Sequence, residues 1–87
     1  MFVKIYQLPI ENERVFAGLD RDKVNLNDYE EVWSGEVEAK DLEDVYFIFN
    51  MNHPLDYKGR SLSVSDIVEE NGHKWYCDTI GWKLLLN

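Results

Sequence analysis

The dipeptide Asn71–Gly72 constrains this chain most, because it lies between two runs that read as strands, Ile67–Glu69 and His73–Asp78. A type I′ turn needs two consecutive residues at positive φ, and Asn-Gly supplies them at little steric cost, so the pair predicts a tight antiparallel hairpin. Other breaks divide the rest of the chain into equally short pieces. Phe2–Leu8, rich in β-branched and aromatic residues and ended by Pro9, reads as a first strand covered on most of both faces. Tyr29–Trp33 reads as a second strand, stopped by Ser34–Gly35, and Trp82–Leu86 as a last strand after the break at Gly81. Residues 11–28 show the least periodicity, and Gly18 with the polar Asp20–Asp28 cluster reads as loop.

Residues 41–50 fit two patterns. VYFIF has strong strand propensity, but Leu42, Val45, Tyr46 and Phe49 recur at helical spacing. Asp41 can cap such a helix, and Glu43 with Asp44 favours the positive end of its dipole, so the segment is read as helix. Asn50–Arg60 is turn chemistry. The expected fold is α+β: a small, mainly antiparallel sheet of about five strands with one or two helices packed on it. Eighty-seven residues, 45% of them hydrophobic, suffice for one domain spanning 1–87. A domain of that size buries only roughly 60–65% of its unfolded surface.

Charge narrows the function classes. Residues 11–44 hold twelve acids and four bases, a net of −8, while the remaining five acids and five bases cancel, so one segment carries the whole net charge. A nucleic-acid-binding domain would present a basic patch instead, and an anionic membrane surface would repel this chain. No apolar run reaches the ~20 residues of a membrane span, and the N-terminus lacks the layout of a signal peptide, so a cytoplasmic protein is expected. The single cysteine, Cys77, excludes an internal disulfide and reads as a small core residue. With His53 and His73 it forms only an irregular ligand set, so neither metal nor cofactor is expected.

Ser61, Ser63, Ser65 and Asp66 can be read as a nucleophile cluster with His53 as base, but the simpler reading is a turn in which they bond local backbone amides. No enzyme activity is expected. Arg60 and Asp66 are candidates for a pair across that turn. Trp33, Trp75 and Trp82 read first as buried area, whereas Tyr57, set among polar residues, reads as an exposed contact.

The block His53-Pro54-Leu55-Asp56-Tyr57-Lys58-Gly59-Arg60-Ser61-Leu62-Ser63-Val64-Ser65-Asp66-Ile67-Val68, with Trp75-Tyr76-Cys77-Asp78 and Gly81-Trp82, resembles the YodL-like domain family. Ile5–Pro9, Tyr29–Trp33, Leu42-Glu43-Asp44 and Phe49-Asn50 extend the resemblance over nearly the whole chain, with Trp33 and Trp82 in place of the family's Tyr and Phe. The resemblance implies a bacterial setting, largely Firmicutes, with their phages and conjugative elements. It transfers no catalytic residue.

The acidic segment has two readings. It can be a solvated face that keeps a small protein soluble, or it can mimic a nucleic-acid backbone. An extended strand would place Glu36 and Glu38 on one side ~6.6 Å apart, close to two steps of the ~3.4 Å rise between phosphates. The expected partner is then a host protein with a basic nucleic-acid-binding groove, docked by Glu30, Glu31, Glu36, Glu38, Asp41, Glu43 and Asp44. This would suit an anti-CRISPR or anti-restriction inhibitor. The alternative is a generic interaction module that contacts partners through the His53–Ser65 loop, with His53, Asp56, Tyr57, Lys58 and Arg60.

Overall fold

A computed structural model describes residues 1–86, apart from the Leu86 side chain. Asn71 and Gly72 both have positive φ, 53° and 80°, and place Glu70 opposite His73, as a primed hairpin turn requires. This turn joins β3 (Ile67–Glu70) to β4 (His73–Cys77). A second turn, closed by the Asp78 amide on the Gly81 carbonyl at 3.0 Å, joins β4 to β5 (Trp82–Leu86). With β1 (Phe2–Gln7) and β2 (Glu30–Glu36) these form a five-stranded sheet in the order β2-β1-β3-β4-β5, antiparallel throughout. One α-helix, α1 (Leu42–Met51), completes an α+β fold. No helix among the described residues is long and apolar enough to cross a membrane.

The helix forms where the capping signals place it. Asp41 accepts the Asp44 amide at 2.9 Å, and Val45 and Phe49, one turn apart, are buried on the sheet. Tyr46 belongs to the same predicted face, but it sits at the flank and is 39% exposed. The helix also runs one residue beyond the expected end, to Met51. Its core partners are Val3, Ile5 and Val68 from the sheet, with Val37, Tyr57 and Leu62. The Phe49 ring meets Trp33 edge-on at 5.2 Å and Tyr57 at 4.9 Å.

Three local expectations need correction. β1 is buried on one face only: Val3, Ile5 and Gln7 point into the core, while Phe2, Lys4 and Tyr6 stay partly in solvent. Gly35 does not stop β2, because it pairs with Val3 and the strand continues to Glu36. A Cβ at Gly35 would lie 2.6 Å from the Trp33 ring, so the missing side chain lets the indole fold across the strand. Tyr57 is buried, not exposed, at 5%.

The segment read as loop is irregular, with short 3-10 turns at Arg21–Lys23 and Leu26–Asp28, yet it is tied to the second face of the sheet. The Tyr29 hydroxyl donates to the Ser65 carbonyl at 2.6 Å, the Tyr76 hydroxyl to the Ala17 carbonyl at 2.7 Å, and the Phe16 amide to Ser65 Oγ at 3.1 Å. These bonds help keep Ile67 and Tyr76 from solvent on a face that α1 does not reach.

Candidate functional site

The seven predicted acidic contacts fall on the edge strand β2, the link after it, and the cap and first turn of α1. Within β2 the side chains alternate. Glu31 and Glu36 pair with Tyr6 and Phe2 on the face away from α1, whereas Glu30 pairs with Gln7 on the helix side. A bulge at Val32 shifts the register between them. Glu36 and Glu38 flank the buried Val37 and are both exposed. Past them Asp41, Glu43 and Asp44 open the helix. Residues 28–44 hold eight acids and one lysine, a net of −7.

Three of the seven predicted contacts already have partners. The amino terminus donates to Glu36 Oε2 at 2.7 Å, Asp41 caps the helix, and Asp44 accepts the Lys40 amide at 3.1 Å with the Lys40 ammonium at 3.4 Å. Bonding to that amide, and the lysine charge beside it, hold the Asp44 carboxyl below its ordinary range. Among the described residues Glu30, Glu31, Glu38 and Glu43 have no cation within 4.0 Å. Of the seven, these four are the carboxylates left without a cation partner among the described residues.

The alternative loop divides in the same way. His53, Asp56 and Lys58 are exposed, although Asp56 accepts the Trp33 indole N–H at 2.9 Å. Tyr57 turns inward because a tight turn, Tyr57 amide to Pro54 carbonyl at 3.0 Å, aims its ring at Phe49 and its hydroxyl at the Arg60 carbonyl. Gly59 makes room for it: a Cβ there would stand 2.6 Å from the Tyr57 oxygen. Arg60 is structural too, with its guanidinium on the Leu8 carbonyl at 2.7 Å and its amide on Gln7 Oε1 at 3.0 Å. It forms no ion pair with Asp66 within 4.0 Å.

Asp66 and Gln7, each 1% exposed, lock this loop to β1, and sequence reading did not single out Gln7. Asp66 Oδ2 accepts Gln7 Nε2 at 3.0 Å and the Ser63 amide at 2.8 Å, which is the local turn the serines suggested. Neither histidine hydrogen-bonds a hydroxyl of Ser61, Ser63 or Ser65 among the described residues. Burial pushes the Asp66 carboxyl up to about 6, against the opposing pull of the Ser63 amide, the Gln7 amide and the Arg60 charge.

A raised carboxyl pKa means that the folded state holds its proton longer than the unfolded chain does. Its contribution is complete below about 4 and is lost as pH rises through about 6, roughly 3 kcal/mol in all. The expected result is that Asp66→Asn removes this fall. Urea denaturation of both proteins at intervals between pH 4 and 8 reads it as a wild-type-minus-variant stability difference that falls as the pH rises through about 6.

Cys77 is buried, as expected of a core cysteine, and burial pushes its thiol up to about 12, with the charges of Asp66, Glu43 and Asp78 adding to the effect. The described residues hold no group of three or more His, Cys, Asp or Glu side chains arranged to take a metal ion. Comparison with known families finds that the pattern of the YodL-like domain matches residues 2–86. No curated protein and no solved structure matches the chain.

Proposed function

Since the chain belongs to the YodL-like domain family over essentially its whole length, we propose that it is a non-enzymatic protein-binding module of a phage or other mobile element. Its acidic edge docks a cationic, nucleic-acid-binding groove of a host protein and thereby inhibits a defence nuclease in the bacterial cytoplasm. The observation that carries this reading is that Glu30 and Glu31 on the edge strand β2, Glu38 in the link after it, and Glu43 in the first turn of α1, over the β4–β5 side of the sheet, are all exposed and have no cation within 4.0 Å among the described residues. A groove lined with Lys and Arg is drawn to such a surface over several ångströms, which raises the rate of encounter and fixes orientation. Even spacing of phosphate mimics is not required for this. Glu30 and Glu31 lie on opposite faces of the sheet, so the contact wraps the edge of the strand rather than reading a flat array.

One observation favours a second reading. Phe47 and Met51 on the outer side of α1, with Leu55 just beyond, are 61%, 71% and 99% exposed. They offer an apolar contact beside the His53–Ser65 loop. Salt separates the two. In a pull-down from host lysate, a partner held by the acidic edge is expected at about 0.05 M salt and lost at about 1 M, where the screening length shrinks to roughly 3 Å. Retention of the same partner at high salt overturns the acidic docking and selects the apolar surface.

A further inference from the structure

Beside Glu43, a cavity of about 200 Å³ opens between α1 and the β4–β5 turn. Glu43 and Tyr46 come from the helix, Cys77 from the end of β4, Asp78 from the turn after it, and Trp82 from the start of β5. Sites for drug-sized ligands take about 300–1,000 Å³, so this volume suits a single long side chain. Its walls pair two aromatic rings, half-buried Trp82 and 39%-exposed Tyr46, with two carboxylates. Asp78 Oδ1 is engaged by the Leu19 amide at 2.9 Å and the Thr79 amide at 2.8 Å, which fix the side chain in place. Asp78 Oδ2 has the Lys83 ammonium 4.0 Å away, and that ammonium donates to the Ile80 carbonyl at 2.6 Å. Glu43 has no cation within that distance among the described residues. Among the described residues no lysine or arginine lines the cavity.

The Cys77 side chain, 5% exposed and not in a disulfide, is part of the lining. Burial, and after it the charges of Asp66, Glu43 and Asp78, keep that thiol protonated, so it adds no charge to the negative lining of Glu43 and Asp78. The positive end of α1 does not reverse the sign, because Asp41 and Asp44 offset it within the first turn. Aromatic faces beside carboxylates favour a cation that can stack and fork at once, and a guanidinium does both where an ammonium does only part.

We propose that this cavity receives an arginine side chain of the bound protein. The inference rests on the acidic docking reading and narrows it to one residue of the partner. The test is a titration of the ¹⁵N-labelled chain with acetyl-Gly-Arg-Gly-amide, and with acetyl-Gly-Gln-Gly-amide as control, followed by amide and indole resonances at low salt. Saturable shifts are expected at the Trp82 indole and the Glu43 and Tyr46 amides, with dissociation at about 1–10 mM and no response to the glutamine peptide. Glu43→Gln and Tyr46→Ala are each expected to weaken binding about three- to tenfold, their unchanged spectral dispersion reporting an intact fold. Shifts confined to residues 30–38 overturn the cavity and leave the acidic edge standing. An equal response to the glutamine peptide, or no saturable shift, also overturns the cavity; the edge is then judged by the salt-dependent pull-down alone.

Discussion

Reversing Glu30, Glu31, Glu38 and Glu43 to lysine is expected to abolish partner capture while the chain stays folded. Each reversal adds two charges, so the net moves from −8 to 0. Loss of attraction combines with like-charge contact against a basic groove, and affinity should fall by at least about 100-fold, roughly 2.7 kcal/mol. The fold should tolerate the change because these four side chains are exposed and hold no ion pair among the described residues. Substitutions at such positions usually stay within about 0.5 kcal/mol each. Glu36, Asp41 and Asp44 are left alone, since the amino terminus, the helix cap and Lys40 use them. Capture assays with circular dichroism on the same samples separate the outcomes. Undiminished capture by the folded quadruple variant would remove the acidic docking.

Phe49→Ala should have the largest effect on stability. The ring is fully buried and touches Trp33 and Tyr57 edge-on, so it joins α1, β2 and the loop after the helix. Removing such a side chain costs about 3–5 kcal/mol. A domain of 87 residues has roughly 4–13 kcal/mol to lose. The melting temperature should therefore fall by about 15–30 °C. Phe47 provides the comparison: the same residue two positions earlier is 61% exposed, and Phe47→Ala should shift the melting temperature by only a few degrees, for roughly 0.5 kcal/mol. Thermal denaturation of both variants reads the contrast, and equal losses would mean that α1 does not pack as described.

Phe47 and Phe49 also show what the sequence made legible. Helical spacing separates the inward Phe49 from the outward Phe47, and the Asp41 cap sets where the spacing begins. The Asn71–Gly72 hairpin was equally readable, because the turn chemistry lies within two residues. Gly35 was misread because its reason is the Trp33 ring crossing it, a contact that propensity does not describe. Tyr57 misled for a similar reason. Its neighbours in sequence are polar, but its neighbours in space are Phe49 and the open position at Gly59. Gln7 gave no signal at all, since its partners Asp66 and Arg60 are more than fifty residues away along the chain. The acidic segment was legible as a total of charge and not as an arrangement. Adjacent Glu30 and Glu31 diverge across the sheet, and which carboxylates the fold itself consumes depends on the amino terminus and on Lys40. The cavity beside Glu43 draws on α1, β4 and β5 together, so no local pattern announces it.

Competition on the captured host protein tests the central claim most directly. Purified partner is loaded with the chain and titrated with duplex DNA, while the bound chain is followed by fluorescence anisotropy. If the acidic edge fills the groove that holds nucleic acid, DNA displaces the chain and an excess of the chain blocks DNA binding. A stable ternary complex, with both ligands bound at once, would contradict it.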